Sequence, residues 1–160
     1  RVEVTDARQY TSQVESYDLI VFSLPYPYSL NVASLFTREY FSRLSENLQP
    51  GGILTVFLGN PVRQGRLDPA SASFLRALRQ SFPHAVGVSS GECQNTVVLA
   101  TRESPLRVED VYRRLKQDRR HQFKILDGPD LDRLCAGVQA ASLSNLQACW
   151  HLNLQLWGWR

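Results

Sequence analysis

The chain has no methionine, three cysteines and three histidines among its 160 residues. Cys93, Cys135 and Cys149 are odd in number and show no CxxC or Cys/His spacing, so the sequence encodes no disulfide framework and no zinc site. Reduced thiols in a cytosolic interior are the plain reading. His84, His121 and His151 are scattered and give no metal-ligand pattern. No run reaches the roughly 18 apolar residues of a membrane span. No internal repeat and no low-complexity segment occurs. The net charge of +3 is too small to argue for nucleic acid. No signal peptide opens the chain: RVEVTDARQY reads as the interior of a strand, and so abrupt a start fits a piece of a longer protein.

What is present is an ordinary globular composition, 43% hydrophobic and 21% charged, enough for one domain or a large part of one. Val2–Thr5 reads as a short strand and Leu19–Phe22 as a strand buried on both faces, because its apolar run is continuous. A loop stiffened by Pro25 and Pro27 follows. Thr37 is a good N-cap with Glu39 in the first turn, and Tyr40, Phe41, Leu44 and Leu48 recur at helical spacing. Pro50-Gly51-Gly52 stops that helix, Ile53–Leu58 is the next buried strand, and Ser71–Phe82 is a second amphipathic helix. Ala85–Ser89 and Thr96–Ala100 read as a terminal antiparallel hairpin. The order is α/β, with a ligand-binding edge at the strand ends formed by Ser23–Leu30 and Gly59–Gly65. A sheet that is parallel until a final antiparallel hairpin is the Rossmann-like, class I methyltransferase-type pattern.

Composition changes after residue 102, which divides the chain into a partial Rossmann-like domain, 1–102, and a helical extension, 103–160. Val108–His121 reads as a helix carrying Arg113, Arg114, Lys116, Arg119 and Arg120, and Asp127-Gly128-Pro129-Asp130 as a second helix start. The end, ACWHLNLQLWGWR, holds three tryptophans and is too apolar for a free tail. Such tryptophans suit a membrane–water boundary and the basic residues suit anionic headgroups. The alternative is a docked terminal helix with a solvated basic face. Nucleic acid is not expected, since no aromatic stacking motif accompanies the basic residues.

Asp6-Ala7 at a strand end is either a helix N-cap or an adenine site, in which the carboxylate accepts from the amino group and the alanine leaves room for the ring. The ordered set Asp6-Ala7-Arg8, Tyr17-Asp18, Pro27, Leu35-Phe36-Thr37, Glu39-Tyr40-Phe41 and Leu48-Gln49-Pro50-Gly51-Gly52 resembles the spermidine synthase (polyamine aminopropyltransferase) family over about residues 1–102. It is nearest to the sub-type fused to membrane segments. The resemblance implies an adenosyl sulfonium cofactor, decarboxylated S-adenosylmethionine or S-adenosylmethionine, at Asp6, Ala7 and Ser23. It implies a small amine as acceptor, in a pocket of Leu24, Tyr28, Phe57 and Asn60, on the cytoplasmic face of a membrane protein, with a homo-oligomer as a further expectation. The family's Gly-rich segment, expected before Asp6, is not in this sequence.

The same resemblance aligns the family's two catalytic carboxylates with Ser23 and Tyr26, and its next polar strand position with Phe57. A hydroxyl and a phenol (ordinary pKa ~10) are protonated near neutrality and take no proton from an attacking amine nitrogen. Three readings follow: an aminopropyltransferase-like domain without its usual base, an S-adenosylmethionine-dependent methyltransferase that works by proximity, or a non-catalytic module of a membrane protein.

Overall fold

The computed structural model describes residues 4–12, 16–24, 29–59, 62–63, 66–90, 96–114 and 123–146. In chain order these form α1 (Ala7–Tyr10), β1 (Tyr17–Phe22), α2 (Leu30–Ala33), a 3-10 turn (Ser34–Phe36), α3 (Arg38–Glu46) and β2 (Leu48–Gly59). The hairpin strands β3 (Val62–Arg63) and β4 (Arg66–Leu67) come next, then α4 (Pro69–Ser81), β5 (His84–Ser90) and β6 (Thr96–Thr101). α5 (Val108–Arg114), β7 (Phe123–Leu126) and α6 (Gly128–Leu134) complete the order.

The main sheet runs β1-β2-β6-β5-β7. β1 and β2 pair in parallel through the α3 crossover, and β6 pairs antiparallel with both β2 and β5. β1, β2 and β5 therefore point one way, and their carboxyl ends share one edge. The α/β class and the closing antiparallel hairpin are as the sequence pattern predicts, with β6 inserted between β2 and β5.

The helices α3, α4 and α6 begin where capping chemistry dictates. Thr37 accepts from the Tyr40 amide, and Asp68 accepts from the Ala70 and Ser71 amides with Pro69 in the first turn. Asp127 and Asp130 form a reciprocal capping box on α6. The apolar stripe of α3 (Tyr40, Phe41, Leu44) and that of α4 (Phe74, Leu75, Leu78) lie on one sheet face, against Leu54, Val56, Val98 and Ala100. Phe22 closes this core at the end of β1, edge-on to Phe36 at 5.1 Å and to Phe41 at 6.0 Å.

Four expectations need correction. Val4 and Thr5 are not in a strand. β1 is not buried on both faces: Leu19 and Val21 are 55% and 65% exposed. β1 stands first in the strand order, so among the described residues nothing pairs with its outer side. Pro50-Gly51-Gly52 does not stop α3, which ends at Glu46, but lies with Leu48 inside β2. Gly51 sits at φ +79, and a side chain on Gly52 would meet the carbonyl oxygens of Tyr17 and Gln49 at 2.9 Å. Glycine here lets β1 and β2 begin side by side. Finally, the region past residue 102 is not helical throughout. Phe123–Leu126 adds β7 to the main sheet, because β5 offers it a free edge.

The described part of that region is tied to the core helices. Arg38 N–H donates to Ala141 O at 2.9 Å, Ala141 N–H to Ser73 O at 3.1 Å, and Ser73 Oγ to Gln139 O at 2.5 Å. Leu143 N–H donates to Glu39 Oε2 at 3.2 Å. Among the described residues no helix is long and apolar enough to cross a membrane. The tryptophan-rich end and residues 115–121 of the expected basic helix lie outside the described residues.

Candidate functional site

The open side of β1 is hollow. A cavity of about 700 Å³ runs along it, from Tyr17 and Asn47 at the amino end to Ser23 and Leu24 at the carboxyl end. Ile20, Phe22, Leu24 and Leu44 make its apolar wall, and Thr5, Ala7, Tyr10 and Thr11 close it from the α1 side. Its size lies within the range of small-molecule sites. Its carboxyl end is where parallel α/β sheets bind ligands.

α1 is held against this hollow by side chains of β1, α3 and the α3–β2 junction. Tyr17 Oη donates to Tyr10 Oη at 3.0 Å, Tyr40 Oη to the Ala7 carbonyl at 3.5 Å, and Asn47 Nδ2 to the Thr11 carbonyl at 3.1 Å. Burial pushes the Tyr40 phenol above its ordinary value, so it stays a neutral donor. α1 is only four residues long and too short to persist alone, so these three bonds fix where Ala7 stands.

Asp6 is the N-cap of α1. Its Oδ1 accepts from Arg8 N at 2.9 Å and from Arg8 Nε at 3.0 Å, and its Oδ2 from Arg8 Nη2 at 2.6 Å. The Arg8 side chain and backbone amide hold the carboxyl down at about 2. The capping role is thus observed, with both oxygens engaged, and Asp6 stands beside the cavity rather than in its wall.

Of the residues singled out in the sequence, Ala7, Ser23 and Leu24 come together on this cavity. Ser23 is exposed at the end of β1. Phe57 is part-exposed on β2 and does not line the cavity. Tyr26, Tyr28 and Asn60 lie outside the described residues. Tyr10, Thr11 and Asn47 were not foreseen as lining residues. Asn47 sits directly before the Leu48-Gln49-Pro50-Gly51-Gly52 motif, and only its burial marks it. No group of three metal-binding side chains occurs among the described residues.

No protein-family model matches this chain, and no curated protein matches it in sequence. Solved structures do match in fold. One is a probable spermidine synthase from Corynebacterium glutamicum ATCC 13032, at 17% identity and a TM-score of 0.67, over 88% of this chain and 53% of that one. Another is human Methyltransferase-like protein 13 in complex with SAH, at 16% identity and a TM-score of 0.54, over 92% of this chain and 64% of that one. The chain spans less than two thirds of the length of either. At this identity the likeness shows the fold alone: the chain shares the Rossmann-like α/β architecture of both structures.

Proposed function

We propose that this domain binds an adenosyl sulfonium compound, S-adenosylmethionine or its decarboxylated form, in the cavity along β1, and acts as a transferase. The observation that carries the reading is the convergence of Ala7, Ser23 and Leu24 on one hollow at the carboxyl end of β1. The small Ala7 leaves space for a planar base. The Tyr17–Tyr10 hydroxyl pair and the Asn47 amide supply polar groups on an otherwise apolar wall. The fold-level likeness to a probable spermidine synthase and to a methyltransferase complexed with SAH supports an adenosyl ligand.

The order of motifs from Asp6 to Gly52 favours an aminopropyltransferase ancestry, with Ser23 and Tyr26 standing at the catalytic carboxylate positions. A second reading, methyl transfer, is favoured by one observation: the stretch from Ser23 to Thr37 contains no Asp or Glu. Alkylation of an amine needs a group to take its proton, whereas a methyl group passes in line to any acceptor already deprotonated.

Calorimetric titration of the intact protein with each sulfonium compound, with products followed by mass spectrometry, separates the readings. Preference for the decarboxylated form and a propylamine-extended product supports the first, and a product heavier by one methyl group supports the second. Binding without turnover indicates a ligand-sensing module. Binding of neither compound overturns the proposal.

A further inference from the structure

One buried group of the cavity wall has a hydrogen-bonding position left open. Asn47 is the C-cap of α3, is only 5% exposed and lines the cavity. Its backbone is fixed from both sides. Its N–H donates to Arg43 O at 3.1 Å, and its carbonyl accepts from Tyr17 N–H at 2.8 Å. Its Nδ2 donates to the Thr11 carbonyl at 3.1 Å, and Thr11 lines the same cavity. A carbonyl oxygen only accepts, so this bond fixes the amide: the NH2 group faces Thr11 and Oδ1 faces away from it. Among the described residues no donor reaches Oδ1. A buried acceptor without a partner is costly, and folded proteins leave few of them. Tyr10, next to Thr11, offers the complementary group. Its hydroxyl accepts from Tyr17 Oη at 3.0 Å, and its own proton has no acceptor among the described residues. Ile20 and Leu44 add apolar surface for a ring.

We infer that Asn47 reads the base of the adenosyl ligand: its Oδ1 accepts from the exocyclic amino group of adenine, and the Tyr10 hydroxyl donates to a ring nitrogen beside that group. The inference rests on the adenosyl reading and names the base-recognising residue of that site. Adenine offers the matching pattern, an N–H donor next to an acceptor nitrogen. Hypoxanthine carries an oxygen in place of the amino group, so two acceptors would face each other. Asn47 cannot turn its amide to suit that oxygen without breaking its bond to Thr11. A site that holds a buried hydrogen-bonding group for its ligand rejects an analogue that leaves the group unpaired.

The test is calorimetric titration of the intact protein with S-adenosylhomocysteine and S-inosylhomocysteine, for wild type and for Asn47→Leu. The two ligands share sugar and thioether and differ in the base alone. The inference predicts that wild type holds the inosyl compound about tenfold or more less tightly, and that Asn47→Leu binds the two alike. Equal wild-type affinity for both overturns it. So does an Asn47→Leu variant that keeps the preference, whatever its absolute affinity, since Asn47 would then only support α1. Should that variant not fold, the N6,N6-dimethyl analogue of S-adenosylhomocysteine decides on wild type, because it has lost the amino N–H donors. A loss of about tenfold upholds the inference, and undiminished binding overturns it. If wild type binds no S-adenosylhomocysteine, the adenosyl reading falls by itself. Free adenine against hypoxanthine then reports on Asn47: tighter adenine upholds the residue's role, and equal binding ends it.

Discussion

Asp6 shows how one side chain answers a question that its sequence position leaves open. An acidic residue at that point either caps a turn or faces a ligand, and the structure shows it capping α1 and gripping Arg8. Because Arg8 lowers the carboxyl from 3.8 to about 2, the pair's contribution is complete above about pH 4 and fades as pH falls toward 2. Asp6→Ala should loosen α1, speed amide exchange at Gln9 and Tyr10, and weaken adenosyl binding through the displaced Ala7. Unchanged exchange and affinity would detach Asp6 from both roles. Glu39 offers a second case. Burial works against its charge, but Arg38 and the Glu39 and Leu143 amides outweigh that and hold its carboxyl below the usual 4.5. Its stabilising effect is therefore present at neutral pH and is lost as pH drops below about 4.5. Glu39→Gln should make amide exchange at Leu143 faster at pH 7, and the difference from wild type should shrink in acid.

At the scale of elements, helix ends were the most legible part of the sequence. Thr37 and Asp127-Gly128-Pro129-Asp130 write their caps in residue types, and the structure places helices behind both, whereas α4 starts at Pro69 behind Asp68, two residues before the expected Ser71. β1 was misread for a physical reason. A run of Leu-Ile-Val-Phe has the same appearance whether one face is covered or two, because periodicity reports apolarity and not neighbours. β7 was missed because four residues are too few to show a period, and its partner β5 lies more than thirty residues earlier. Gly52 gives an element-scale prediction. A methyl group there would meet two backbone oxygens at 2.9 Å, so Gly52→Ala should destabilise the β1–β2 pair by on the order of 1–3 kcal/mol in chemical denaturation. An unchanged midpoint would mean that the strands part without cost. Arg79 joins α4 to α6 through Asp132 at 3.0 Å and also reaches the carbonyls of Phe82 and Pro83. Asp132→Asn should lower stability by roughly 0.2–1 kcal/mol, as an exposed pair does.

For the whole molecule, the core and the ligand edge follow different rules. The helix-covered face buries Phe41, Leu54, Leu75, Leu78 and Phe82 almost completely. Truncating one of them, for example Phe41→Ala, should cost about 3–5 kcal/mol. Leu19 and Val21 lie on β1 away from that face and are exposed, so Leu19→Thr with Val21→Thr should change stability by less than about 1 kcal/mol. A large loss on that double change would mean that this side of β1 is covered in solution. The sequence made the strand–helix order readable. It could not show that the hollow lies along the outer side of β1, because that depends on how Tyr10, Tyr40 and Asn47 hold a four-residue helix in place. Side-chain partners from three separate elements leave no local trace in a sequence.

The central claim is that the cavity along β1 is an adenosyl site. Its most direct test is methyl-resolved NMR of the intact protein titrated with S-adenosylhomocysteine, which has the nucleoside but transfers nothing. Shifts that saturate together at the methyl groups of Ile20, Leu24, Leu44 and Ala7, with those of Leu78 and Leu143 unmoved, are the predicted result. Saturable shifts confined to methyl groups away from β1, or none at all, would contradict it.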